Sequence, residues 1–113
     1  MKRAPEGHLQ RLVLDWLAAK HIFALRMNSG TLRDRTGRPV TFGIPGQADI
    51  LAFPHCWHIK YGYANDHVMP VWIELKAPRG KQSDLQKSFQ AKVEAEGHRY
   101  LLIKSLDELE AQL

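Results

Sequence analysis

The sequence predicts one α/β domain over residues 1–113, a mixed β-sheet flanked by helices. Three observations carry this: an amphipathic helical stripe near the start, short β-type runs bounded by turn residues, and a strand–helix–strand succession in the last third. That succession, from Val71–Ala77 through Ser83–Glu96 to Arg99–Lys104, has the length and order of a parallel crossover.

In order, Leu9, Leu12, Val13, Trp16 and Leu17 recur at i, i+3, i+4, i+7 and i+8, which predicts a helix from Pro5 to about Lys20, with all five in its core stripe. Pro5 suits a first helical turn. Ile22–Met27 reads as a short strand and Asn28-Ser29-Gly30 as a turn. Residues 30–47, rich in Gly, Thr and Arg, form a hairpin or loop with no buried face of their own. Asp49–Phe53 is the next strand, stopped by Pro54. Pro70 opens the Val71–Ala77 strand, and Pro78 with Gly80 closes it. In the second helix, Leu85, Phe89 and Val93 make the apolar stripe and Gly97 takes the position after the end. Ser105-Leu106-Asp107-Glu108 is a capping box for a short last helix.

A chain of 113 residues buries roughly 65% of its unfolded surface, enough for a core without disulfides or a structural metal. The single cysteine, Cys56, excludes an internal disulfide and fits a reducing compartment. Met1-Lys2-Arg3 begins like a signal peptide, but Glu6, Gln10, Arg11 and Asp15 break the apolar character of the next segment, so neither a leader nor a membrane association is expected. The net charge of +4 and pI near 9.4 lean toward anionic partners such as nucleic acid.

The chemistry concentrates in Val71-Trp72-Ile73-Glu74-Leu75-Lys76-Ala77. Alternation puts Glu74 and Lys76 on one face of an apolar strand, where a carboxylate and an ammonium are costly to desolvate. An exposed ion pair on an edge strand is the structural alternative. If the Asp49 strand is its neighbour, Asp49 and Glu74 converge on one hard cation, with the Leu75 backbone carbonyl or water as further ligands. Such a cation activates water and shields charge on a phosphate, and Lys76 orients the water or stabilises the transition state, which favours phosphodiester hydrolysis.

Gly43-Ile44-Pro45-Gly46-Gln47-Ala48-Asp49 followed by Glu74-Leu75-Lys76 resembles the signature of PD-(D/E)XK nucleases. With Glu6, Arg26-Met27-Asn28-Ser29-Gly30, Gly80 and Gln86, the wider pattern is similar to the VRR-NUC (virus-type replication-repair nuclease) branch over nearly the whole chain. Two departures stand out: Ala48 where the superfamily name has proline, and a long stretch from Pro54 to Met69.

The resemblance implies a restriction-endonuclease-like core in which Asp49 and Glu74 bind Mg²⁺ or Mn²⁺ and Lys76 is the catalytic lysine. Glu6 becomes an outer ligand through water, and Gln86 supports the site. It further implies an endonuclease acting on branched DNA, above all four-way (Holliday) junctions in DNA repair, as a homodimer that supplies two sites. A cytoplasmic place in a bacterial or phage-infected cell is expected, with no small-molecule cofactor. Flap or single-strand cleavage, or a non-catalytic DNA-binding subunit of the same fold, are the alternatives. Arg26, Asn28, Ser29, Arg33 and Arg35, with Arg79 and Lys81 before the second helix, are candidate DNA contacts.

Several of these residues have a second role open to them. Glu6 complements the helix dipole without a metal. Gln86 closes a capping box with Ser83, which competes with reaching the site. His55, Cys56, His58 and His67 match no common zinc spacing, and Trp57, Tyr61 and Tyr63 suit sheet cover better than base stacking.

Overall fold

In the computed structural model, residues 5–55 and 67–113 are described, the side chains of Pro5 and Glu6 excepted. The elements are α1 (Pro5–Ala19), β1 (Phe23–Arg26), β2 (Gly30–Arg33), β3 (Pro39–Phe42), β4 (Ile50–Phe53), β5 (Val71–Leu75), α2 (Asp84–Ala95), β6 (Arg99–Ile103) and α3 (Leu106–Gln112). The main sheet has strand order β1-β4-β5-β6, and β2 pairs with β3 in a separate two-stranded ribbon. The pairs β1–β4 and β4–β5 are antiparallel, whereas β5 and β6 are parallel and joined through α2. The mixed sheet and its crossover are therefore as the sequence predicts.

Alternation along each strand sorts residues to two faces. Ile50, Ala52, Val71, Ile73, Leu75, Leu101 and Ile103 form one buried cluster with Leu9, Val13 and Leu17 of α1 and Leu109 of α3. On the opposite face Phe89 and Val93 of α2 pack with Ala48 and Tyr100, and Trp72 and Leu102 join them from the sheet. Trp72 meets Phe89 edge-on at 4.9 Å and donates from Nε1 to His98 Nδ1 at 2.9 Å. Burying these side chains, at about 25 cal/mol per Å² of apolar area, is the main force holding α2 to the sheet.

The helical stripes are narrower than their periodicity suggests. Leu12 is exposed and Trp16 half-buried, because α1 docks along a seam spaced by four residues, Leu9, Val13 and Leu17. Leu85 is 58% exposed, for α2 buries only its later turns, at Phe89 and Val93. At the last helix, Ser105 accepts from Glu108 N at 3.2 Å, but the Glu108 carboxylate takes Lys104 N at 2.8 Å, so the predicted capping box is half formed. Among the described residues, no helix is long and apolar enough to cross a membrane.

Candidate active site

Asp49 and Glu74 face each other across the β4–β5 pair. The register sets Ile50 opposite Ile73, so one step further along places Asp49 opposite Glu74, both on the α2 face. The strand neighbourhood that a shared cation would require is thus present. Because β5 and β6 are parallel, Glu74 and Leu75 also lie at their carboxyl ends, where open α/β sheets hold their ligands.

Each acid is held by a specific partner. Asp49 Oδ2 accepts the Leu75 N–H at 2.8 Å, and the Asp49 carbonyl accepts Met27 N–H at 2.8 Å from the segment leaving β1, so its backbone and side chain span three strands. Glu74 is 2% exposed on an interior strand, which removes the edge-strand ion pair as an account of it. Its Oε1 accepts Gln86 Nε2 at 2.9 Å and lies 3.9 Å from Lys76 Nζ. Leaving a carboxylate in such a place is costly without donors of this kind.

Gln86 resolves the either-or left by its sequence. Its Oε1 accepts the Ser83 N–H at 2.8 Å, completing the capping box, while its Nε2 reaches Glu74. One planar amide caps α2 and supports the acid, since the two ends of the group have opposite hydrogen-bonding character.

The approach to Asp49 is built on glycine. Gly46 has φ +81°, and a Cβ there would stand 2.4 Å from the backbone of Leu85. Gly43, at φ +71°, would place one 2.5 Å from the Asn28 carbonyl oxygen. This close approach seats the 43–47 turn both on the first turn of α2 and on the segment leaving β1. Gln47, to which sequence reading assigned no role, donates from Nε2 to Asn28 O at 2.8 Å and accepts Ile44 N–H at 3.1 Å. Its one sequence signal is its place between Gly46 and Asp49.

Tyr100 of β6 lies on the same face, packed with Phe89 and Val93 of α2. Its hydroxyl accepts from Gln82 Nε2 at 3.1 Å, and burial, aided by the negative charges of Glu74, Asp49 and Glu94 and opposed by the Gln82 bond, pushes its pKa up to about 12.

Arg26 ends β1, Arg33 ends β2 and Arg35 lies in the ribbon's turn, all exposed; Asn28 and Ser29 are exposed between β1 and β2. Arg79 and Lys81 are exposed in the loop from β5 to α2. Glu6 lies in α1, but its side chain is outside the described residues, as are Cys56, Trp57, His58, Tyr61 and Tyr63.

Among the described residues, no group of three or more His, Cys, Asp and Glu side chains converges. The oxygens that could face a cation here are two carboxylates and a carbonyl. A strand residue turns its N–H and C=O toward the same neighbour, so the Leu75 carbonyl shares the Asp49 side with its N–H. Hard oxygens of this type suit Mg²⁺ or Mn²⁺, which keep several positions for water and substrate oxygen.

Comparison with family models, curated proteins and solved structures finds no match for this chain.

Proposed function

We propose that this chain is a metal-dependent endodeoxyribonuclease with a restriction-endonuclease-like core, hydrolysing phosphodiester bonds in branched DNA such as four-way junctions. The observation that carries this reading is the Asp49–Glu74 pair at the carboxyl end of β5, with Lys76 beside it and Gln86 behind it. The motif resemblance to VRR-NUC nucleases supports it from the sequence.

Asp49, Glu74 and the Leu75 carbonyl are the residues to hold Mg²⁺ or Mn²⁺, with Glu6 as the outer ligand of the resemblance. Bound there, the cation supplies Lewis-acid stabilisation of the phosphate and a more acidic water. The protein's own contribution is positional. Asp49 is oriented by the Leu75 amide, and Glu74 by the Gln86 amide. Lys76 brings an ammonium to the same face, where it orients the attacking water and stabilises the charge that develops on phosphorus oxygens as the P–O bond breaks. Arg79 and Lys81, exposed before the α2 N-terminus, would draw backbone phosphate toward the acids. Two such sites in a homodimer match the two opposed strands that are cut at a junction. The cytoplasm of a bacterial or phage-infected cell is the setting this implies.

The test is cleavage of labelled four-way junctions, flaps, linear duplex, single strands and RNA with Mg²⁺, Mn²⁺ or EDTA. The expected result is metal-dependent cutting of junctions, abolished by Asp49→Asn, Glu74→Gln and Lys76→Ala. Cutting that survives the two acid substitutions sinks the site, and binding without cutting in either metal assigns the chain to non-catalytic DNA-binding subunits. A preference for flaps or single strands moves the substrate, and a monomer in light scattering removes paired junction cleavage.

A further inference from the structure

Strands β2 and β3 do not join the main sheet, and all eight of their residues are exposed. A two-stranded ribbon by itself is marginal in water, so something must hold this one in shape. Much of that is local. Asp34 accepts from Thr36 N at 2.8 Å, Thr36 Oγ1 at 2.7 Å and Arg38 N at 3.0 Å, and these bonds hold its carboxyl below the usual aspartate range. Gly37, at φ +84°, completes the turn, and Arg33 Nη1 closes across it to Gly37 O at 2.7 Å.

Charge gathers on this projection. Residues 26–42 contain four arginines and one aspartate, a net +3 within a chain of net +4. The register splits the ribbon into two faces. Leu32, Val40 and Phe42 share one, with the Phe42 ring over Gly30; Thr31, Thr41 and Arg33 share the other. A face of two hydroxyls and a guanidinium can donate to and accept from base edges and phosphate. At its base the ribbon is fastened by Gln47, which clamps Asn28 on the incoming side to Ile44 on the outgoing side, two residues before Asp49.

We propose that the β2–β3 ribbon is an arm that enters a groove of double-stranded nucleic acid, polar face inward, and that Gln47 is the positioning residue setting its angle to the Asp49–Glu74 pair. The proposal rests on the nuclease reading and adds the form of the partner, a duplex arm rather than a single strand. A ribbon's two strands lie about 4.8 Å apart, and the major groove, about 12 Å wide, admits it. The arginines at the tip neutralise phosphates on the groove walls.

Fluorescence anisotropy in EDTA, with a labelled duplex and a single strand of about 20 nucleotides, tests the arm without any cleavage. Wild type binds the duplex more tightly. Arg35→Ala with Arg38→Ala weakens duplex binding about 10- to 100-fold and lowers the slope of log K against log salt by about 2, one unit per lost phosphate contact. Gln47→Glu keeps the Ile44 bond but sets oxygen against the Asn28 carbonyl. It weakens duplex binding about fivefold and leaves single-strand binding unchanged, a discrimination that a loss of stability does not produce. Unchanged duplex affinity and salt slope in the double variant overturn the proposal, as does wild-type preference for the single strand. Conversion of a wild-type dimer to monomer by Leu32→Ser with Val40→Ser also overturns it, assigning the ribbon to a second copy of the chain. Since no metal or turnover enters these measurements, a chain that binds duplex through the arm yet cuts nothing sinks the nuclease reading alone.

Discussion

The side-chain amide of Gln86 joins the N-terminus of α2 to Glu74 in the middle of the sheet, with Nε2 at 2.9 Å from Glu74 Oε1 while Oε1 accepts Ser83 N–H at 2.8 Å. A helix cap and a candidate catalytic acid therefore depend on one group.

Substitution at Gln86 separates these roles. Gln86→Ala loses both bonds and lowers stability by about 1–3 kcal/mol at every pH, with a matching loss in cleavage. Gln86→Glu keeps the cap acceptor but opposes a second carboxylate to Glu74, raising the pKa of the pair in the folded state. The stability of that variant is greatest below the unfolded glutamate pKa of about 4.3 and falls as pH rises through the raised folded value. Denaturant titrations from pH 4 to pH 8 check this, and a pH-independent loss in Gln86→Glu contradicts it.

Asp49→Asn leaves an oxygen that can accept the Leu75 N–H, so the fold survives with a loss of about 1 kcal/mol or less. Cleavage falls by about 100-fold or more, because the charge a cation requires is gone. Thermal melts beside single-turnover assays measure the two effects. A large fall in melting temperature makes Asp49 chiefly structural.

Lys76→Ala withdraws the ammonium 3.9 Å from a buried carboxylate. The expected outcome is a fall in cleavage of about 100-fold or more, with junction affinity in Ca²⁺ or EDTA within about threefold of wild type. Affinity that falls in step with rate identifies Lys76 as a binding residue instead.

Gly46→Ala forces a Cβ to within 2.4 Å of the Leu85 backbone at a φ of +81°. Both the contact and the left-handed backbone oppose it, so a loss of about 2–4 kcal/mol is expected from chemical denaturation. Gly97→Ala has the strained φ of +86° but meets nothing within 4 Å, and loses about 1–2 kcal/mol. Equal losses at the two glycines remove the close approach of the 43–47 turn as the cause.

Tyr100 governs the alkaline limb of stability. Its folded pKa is pushed up to about 12, mainly by burial, from 10.0. Its contribution is therefore complete below pH 10 and declines as pH rises toward 12, because the unfolded chain gives up the proton first. Tyr100→Phe flattens that decline in denaturation measured between pH 9 and pH 12. A decline as steep as wild type assigns it to other groups.

Much was legible in the chain. The Leu9, Val13 and Leu17 spacing, the Pro70 start of β5 and the Ser83 cap are local patterns, and local sterics and hydrogen bonding decide them; β5 itself ends at Leu75, short of the Ala77 that Pro78 suggested. The alternation that puts Glu74 and Lys76 on one face is equally local. Leu12 and Leu85 read as core and are exposed, because periodicity marks an apolar face without saying how much of it a neighbour covers.

The sequence by itself determined the helices, the strands of the main sheet and their α/β order, and pointed to Asp49 and Glu74 as candidate acids, since backbone preference and side-chain period act within a few residues. Tertiary structure alone decided that β4 lies against β5 and so sets Asp49 opposite Glu74, and that the ribbon stands apart from the sheet. It also decided that Gln86 serves cap and acid together, and that Gln47 ties the ribbon to the approach to Asp49. These relationships join residues distant in the chain, and long-range pairing and shared burial, rather than any local preference, select them.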